Sequence, residues 1–96
     1  MGIEDLRAEI DDIDRKLILL LNERARIAVE VGAMKKAAAL PVYDPAREQK
    51  VLDHVRQANV GPLDDRAITE LFCLIIRESR RVETRHVKAT GEVIKQ

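Results

Sequence analysis

The chain has 96 residues and a formal net charge of zero, with 17 basic and 17 acidic side chains. This neutral balance gives no electrostatic reason to expect nucleic acid as a partner, and an aromatic content of 2% is too low for a base-stacking surface. A hydrophobic content of 46% predicts one folded domain over residues 1–96. The single cysteine, the acidic N-terminus and the lack of a long apolar run predict a cytoplasmic protein with no membrane segment.

The first predicted helix runs from about Ile3 to about Ala39 and carries an apolar stripe. Apolar residues recur at alternating spacings of three and four, which is the pattern of a helix seam that faces a partner. Such a helix is roughly 55 Å long, whereas a compact monomer of this size has a radius of gyration of only ~12 to 13 Å. We therefore expect a second copy of the chain to cover the seam, which consists of Ile3, Leu6, Ile10, Ile13, Leu17, Leu20, Ile27, Val31 and Met34.

Arg24 interrupts this seam between Leu20 and Ile27. A guanidinium remains charged in proteins, so a position inside a packed seam requires an anion or a carboxylate beside it. Arg24 therefore either forms a buried salt bridge, for example to Glu23 or Asp14 of a partner helix, or binds a negatively charged molecule.

Two further helices follow a short connection. The second begins with Asp44 as N-cap and Pro45 in the first helical position, and it runs to about Ala58 with an inner face of Val51, Leu52 and Val55. Asp64 caps the third helix, which is expected to end near Gly91. Its predicted inner face consists of Ile68, Leu71, Phe72, Ile75, Ile76 and Val82.

Two basic residues of the first helix are spaced to bind one small anion. Lys35 follows Arg24 by 11 positions, so both side chains leave nearly the same face, about 16 Å apart along the axis. They are therefore candidates for the two ends of a small dianion. Arg7 lies ~25 Å from Arg24 along the same helix, and it could reach that ligand only from the other subunit of an antiparallel pair.

The other two helices add polar side chains next to apolar ones. Arg47 and Glu48 lie in the first turn of the second helix, where free backbone N–H groups favour a polar or anionic atom. Ser79 and Glu83 form an i, i+4 pair that continues the inner face of the third helix. Basic groups on the apolar faces of more than one helix favour a binding site.

Each of these residues also has a purely structural interpretation. Lys35 could be a solvated cation that stabilises the end of its helix, and Arg7 could pair with Asp11 four positions on. Asp44 could be only a helix cap, and Arg47 with Glu48 could be a surface ion pair. Ser79 could be a tolerated small residue, and Glu83 could be a solvated acid beside Arg80.

Six segments, taken in order, resemble the all-helical, type II chorismate mutase family along almost the whole chain. They are LR at 6–7, IDRKL at 13–17, LLNER at 20–24, AVEVGAMK at 28–35, PVYDPARE at 41–48 and LFCLIIRES at 71–79. The resemblance implies an all-α fold of three helices, the first very long, in an intertwined homodimer with two equivalent sites. It also implies the isomerisation of chorismate to prephenate in phenylalanine and tyrosine biosynthesis, with no cofactor and no metal.

The resemblance implies a role for each candidate residue. Arg24 of one subunit and Arg7 of the other are expected to clamp the two carboxylates of chorismate, and Lys35 is expected to contact the ether oxygen and a carboxylate. Glu48 and a backbone N–H near Asp44 are expected to bind the ring hydroxyl. Arg47 is expected to contribute to the charge of the pocket. Ser79 is expected to contact the ring carboxylate.

Glu83 occupies a position that is often Gln in the family. An amide can donate a hydrogen bond to the ether oxygen at any pH, whereas a carboxyl group donates only when it is protonated. We expect Glu83 to act as a neutral acid, with protonation favoured by burial and opposed by Lys35.

Two other functions are compatible with the sequence. An isochorismate-pyruvate lyase would use a similar fold and cationic clamp on a near-identical dianion. A non-catalytic helical module would use the same residues for dimerisation, regulation or docking onto a pathway enzyme.

Overall fold

Three helices make up the structure. The computed structural model describes the backbone of residues 1–95 and the side chains of residues 1–85. Helix α1 spans Ile3–Ala37, α2 spans Pro45–Ala58 and α3 spans Asp65–Lys95. Residues 1–95 contain no strand, so the all-α prediction is confirmed. Over the same part of the chain, no helix combines the length and apolarity that crossing a lipid bilayer requires.

Helix α1 ends at Ala37, two residues before the predicted end at Ala39. The backbone at Ala39 has a φ of +57°, in the left-handed region, and the N–H of Leu40 donates to the carbonyl of Lys35 at 2.8 Å. This arrangement closes the last turn in the manner of a Schellman motif. Pro41 then follows and cannot extend the helix, so α1 ends within two residues of the predicted position.

The predicted starts of α2 and α3 are confirmed by their caps. The Asp44 carboxylate accepts the N–H of Arg47 at 3.0 Å, and the Asp64 carboxylate accepts the N–H of Ala67 at 2.8 Å. Each cap satisfies one N–H of a first helical turn that lacks a partner inside the helix.

The predicted end of α3 near Gly91 was wrong, because the helix continues to Lys95. A glycine inside a helix costs only about 1 kcal/mol relative to alanine, which is too little to terminate a long helix. The segment after Gly91 is Glu-Val-Ile-Lys and contains no proline, so it includes no residue that would stop the helix.

Helix α3 packs against both α1 and α2. Its most buried apolar side chain is Ile76, which is 9% exposed. The face of α1 toward α3 carries small side chains, and Gly32 is the most buried residue of that helix. Small residues let the two helix axes approach closely, and Glu83 of α3 lies against the backbone of Gly32.

Leu71 is 49% exposed, although it was predicted on the inner face of α3. The buried and half-buried residues of α3 form a stripe through Ile68, Phe72, Ile75 and Ile76. Successive residues of a helix are rotated by 100° about its axis, and this rotation places Leu71 at the edge of the stripe. The prediction for Leu71 was therefore wrong.

The apolar seam of α1 faces solvent in the single chain. Its nine members, from Ile3 to Met34, are between 42% and 73% exposed. The chain measures 59 × 28 × 15 Å and has a radius of gyration of 17.1 Å, well above the ~12 to 13 Å of a compact domain of this length. One copy of the chain therefore leaves a long apolar surface uncovered.

Candidate functional site

A cavity of about 240 Å³ lies between the three helices and the connection from α1 to α2. One part of its wall is apolar, with Ile27 and Val31 of α1 and Ile76 of α3 among its members. Seven of the eight predicted site residues form much of the rest, namely Arg24, Lys35, Asp44, Arg47, Glu48, Ser79 and Glu83. The sequence therefore identified most of the polar wall of one cavity.

The charges around the cavity favour an anion. Four basic and three acidic side chains line it, so its formal charge is +1 when every acid is ionised. Protonation of one of the three acids would raise this charge to +2. A small dianion with an apolar body matches both the charge and the mixed wall.

Arg24 reaches across the cavity from α1 to α3. Its Nη1 donates a hydrogen bond to Oγ of Ser79 at 2.8 Å, and the guanidinium is half-buried. No carboxylate among the described side chains forms an ion pair with Arg24. Because a guanidinium carries five N–H donors, most of its donors remain for an anion in the cavity.

Lys35 extends from the last turn of α1 toward the connection. Its Nζ donates to the backbone carbonyl of Val42 at 3.1 Å, and this contact is partly buried. An ammonium has three donors, so two remain after this bond. Lys35 is therefore held at the edge of the cavity, and the interpretation of a freely solvated helix-end cation does not fit.

The start of α2 offers fewer free N–H groups than predicted. The N–H of Arg47 donates to the Asp44 carboxylate, and the N–H of Glu48 donates to the Asp44 carbonyl at 3.1 Å. The expectation that free N–H groups in this turn serve a ligand was therefore wrong for these two. The side chains of all three residues still line the cavity.

Glu83 is the buried acid of the site, at 9% exposure. Burial raises its pKa above the usual value, because the charged form loses hydration. Lys35, Arg24 and Arg80 lower the pKa of Glu83, whereas Glu48 raises it, and the balance remains upward. The structure therefore favours the neutral carboxyl more than water does, as the sequence predicted.

Arg7 lies outside the cavity of its own chain. Its Nη1 contacts Oε1 of Glu4 at 2.9 Å, and both side chains are largely exposed. The structural interpretation in which Arg7 pairs with Asp11 was therefore wrong, because Glu4, one turn earlier, is its partner. Within one chain, the structure does not bring Arg7 to the other seven residues.

Comparison with known proteins assigns these features to a family. The model for chorismate mutase type II matches residues 6–84. The chain belongs to the type II chorismate mutase family.

Relatives of this chain include longer, two-function enzymes. The bifunctional chorismate mutase/prephenate dehydratase of Stutzerimonas stutzeri is 37% identical over 91 residues, which cover 83% of this chain and 25% of the relative. The chain thus spans about a quarter of the length of the bifunctional relatives that it matches.

Solved chorismate mutases share the fold at similar length. The form II structure from Thermus thermophilus has a TM-score of 0.85 and 38% identity, and the match covers 86% of this chain and 94% of that one. The enzyme from Helicobacter pylori, solved in complex with prephenate, has a TM-score of 0.82 and 32% identity over 90% and 93% of the two chains. The family that the six segments predicted is confirmed.

The eighth polar residue of the cavity wall is Arg80, which was not predicted as a site residue. Its Nη1 contacts Oε2 of Glu48 at 2.6 Å, and its guanidinium carbon lies 4.6 Å from the centre of the Tyr43 ring. The sequence suggested Glu83 as its neighbour and placed Glu48 beside Arg47. No periodic pattern connects residues 48 and 80, because they lie on different helices.

Proposed function

We propose that this chain catalyses the rearrangement of chorismate to prephenate in the cavity between its helices. The observation that carries the proposal is that Arg24 and Lys35 of α1 and the buried Glu83 of α3 line one cavity. Membership of the family and the prephenate bound to the Helicobacter pylori relative support the same reaction. A single domain over residues 1–96, a cytoplasmic location and a pathway-enzyme partner remain predictions.

The proposed reaction requires no nucleophile from the protein. In this intramolecular Claisen rearrangement, an ether C–O bond breaks while a C–C bond forms, so no atom enters or leaves the substrate. The enzyme must hold a flexible dianion in its compact reactive conformation and stabilise the negative charge that grows on the ether oxygen. Neither task requires a cofactor.

Arg24 and Lys35 would bind the carboxylates and the ether oxygen. Arg24 is held in place by Ser79, and Lys35 is held by the Val42 carbonyl, so both cations are ordered before a ligand arrives. A preorganised cation stabilises the transition state better than water does, because it need not reorient during the reaction. Ser79 would contact the ring carboxylate, and Arg47 would add positive charge to the cavity wall.

Glu83 would donate a hydrogen bond to the ether oxygen in its protonated form. A bound dianion adds negative charge and excludes water, and both effects raise the pKa of a neighbouring carboxyl group. The pKa of Glu83 is already raised by burial in the free protein. Substrate binding would therefore increase the fraction of protein in which Glu83 can donate.

Glu48 would accept a hydrogen bond from the ring hydroxyl of the substrate. Its carboxylate lines the cavity, with one oxygen bonded to Arg80. The second oxygen can serve as the acceptor. Asp44 would shape the same end of the cavity through the cap of α2.

A second copy of the chain would complete each site with Arg7. The exposed seam of α1 gives the apolar surface for an intertwined homodimer, and an antiparallel pairing would bring the partner's first turns toward Arg24. A wider cavity of about 580 Å³ adjoins the first, with Arg24 and Arg47 in the walls of both and with Ile68 and Phe72 in its apolar wall. We infer that Arg7 of the partner reaches the site from this side.

An absorbance assay of chorismate loss with identification of the product tests the proposal. The wild-type protein should form prephenate, and Arg24→Ala should lower kcat/KM by at least about a hundredfold, because a half-buried charged donor is lost from the cavity wall. Arg26→Ala, on an exposed position two residues away, is the matched control and should retain activity. A wild-type protein that leaves chorismate unchanged but converts isochorismate would contradict the proposal.

A further inference from the structure

The guanidinium of Arg80 connects three parts of the chain at the cavity wall. It belongs to α3, it forms an ion pair with Glu48 of α2, and it lies over the ring of Tyr43 in the connection before α2. The Arg80 and Glu48 side chains are only 33% and 28% exposed. Partial burial distinguishes this pair from surface pairs such as Arg66 with Glu70, which are about 70% exposed.

The geometry makes full use of a planar cation. A guanidinium can stack its face on an aromatic ring while its N–H groups donate in the plane to a carboxylate. The Arg80 guanidinium lies over the Tyr43 ring while its Nη1 donates to Oε2 of Glu48, so both neighbours restrain the group. A lysine ammonium could supply the charge but not the same orientation.

The pair also answers an electrostatic problem of the cavity. Glu48 places a negative charge in a cavity that, under the proposed function, accepts a dianion. A carboxylate without a counter-charge would repel that substrate, whereas a paired one can still accept a hydrogen bond. Arg80 occupies Oε2 and leaves Oε1 as an acceptor.

We propose that Arg80 is a positioning residue, which neutralises Glu48 and holds its free oxygen toward the ring hydroxyl of the substrate. This inference rests on the proposed function, in which Glu48 binds that hydroxyl. The hydroxyl does not react, so its contact contributes equally to the ground state and the transition state. Loss of such a contact raises KM and leaves kcat nearly unchanged.

Steady-state kinetics with chorismate test the inference in four variants of the full chain. Arg80→Met keeps an apolar stem of similar length and removes the guanidinium, and Arg80→Lys keeps the charge. Glu48→Gln keeps the shape and removes the negative charge, and the double variant combines Arg80→Met with Glu48→Gln. Arg81→Met is the matched control, because Arg81 is exposed, pairs with Glu78 and does not line the cavity.

We expect Arg80→Met to raise KM about fivefold to tenfold with kcat within about twofold, and Arg80→Lys to recover part of that loss. In the Glu48→Gln background, Arg80→Met should add less than about twofold, because the two residues act through one contact. Arg81→Met should match the wild type. If Arg80→Met does not fold, as judged by circular dichroism, Arg80→Lys alone and with Glu48→Gln gives the same comparison.

Two results would overturn the inference, and they differ in what they imply. Effects of Arg80→Met and Glu48→Gln that multiply would show that Arg80 acts on the substrate independently of Glu48, while the proposed function stands. A wild-type KM in a further variant, Glu48→Met, which has no side-chain oxygen to accept the hydroxyl, would show that the proposed role of Glu48 is itself wrong, and Arg80 would then have no substrate contact to position.

Discussion

The backbone of Gly32 on α1 lies directly against the side chain of Glu83 on α3. A Cβ atom added to Gly32 would be 3.2 Å from Cγ and 3.4 Å from Oε1 of Glu83. The first distance is shorter than ordinary van der Waals contact, and the second is at its lower limit. The glycine thus allows the close approach of the two helices that buries Glu83, and this burial is the main reason that its pKa is raised.

Gly32→Ala should lower activity by displacing Glu83. In an exposed helix interior this substitution would stabilise by about 1 kcal/mol, but added volume at a packed contact costs about 1 to 3 kcal/mol. We expect kcat to fall roughly tenfold, because even a small displacement of a donor weakens its contact in the transition state. Circular dichroism and kcat measured together test this, and a variant with wild-type kcat would show that the contact does not position Glu83.

The activity should fall as pH rises through the pKa of Glu83. In the proposed mechanism the protonated form of Glu83 is the donor, and burial raises its pKa, so the loss of activity should begin above the range in which an ordinary glutamate has ionised. Loss of such a donor raises the activation barrier by roughly 3 kcal/mol, which lowers the rate about a hundredfold. The kcat/KM profile against pH gives the measurement.

Glu83→Gln is the decisive variant for this pH dependence, because an amide donates at every pH. It should flatten the alkaline limb, whereas Glu30→Gln, at an exposed position of α1, should leave the wild-type profile unchanged. An alkaline limb that persists unaltered in Glu83→Gln would remove Glu83 from the mechanism.

The sequence predicted the site residues that lie close along one helix. Arg24 and Lys35 could be placed on one face of α1 from their spacing, and the cap at Asp44 could be recognised from the proline that follows it. These are local properties, set by helix geometry and by the first turn. The i, i+4 spacing of Ser79 and Glu83 likewise placed them together on α3, and the family resemblance gave each of them a role.

The rest of the site depends on how the helices pack, which periodicity does not determine. Gly32 was interpreted as a weak interruption of a helix, although its backbone lies against the Glu83 side chain of α3. Arg80 read as a neighbour of Glu83, although it pairs with Glu48, which lies 32 positions away on another helix. A sequence pattern defines a face of a helix but not the residue that the face meets.

The exposed seam of α1 should hold two chains together. Leu17 lies near its middle and is 50% exposed in the single chain. Leu17→Glu would place a charge in the apolar contact of a dimer, so we expect a monomer with little activity. Light scattering after size exclusion measures the mass, with Lys16→Glu, at the adjacent exposed position, as the control. A dimeric Leu17→Glu protein would show that the seam is not the interface.

Subunit complementation tests most directly whether two chains build each site. Arg7→Ala and Arg24→Ala are each expected to be inactive as homodimers, because every site then lacks one cation. After unfolding and refolding as an equal mixture, half of the dimers would contain one chain of each kind, and each of these would have one intact site. The account predicts that activity returns to about a quarter of the wild-type value. A mixture that remains inactive, although mixed dimers have formed, would contradict it, because Arg7 would then serve only the site of its own chain.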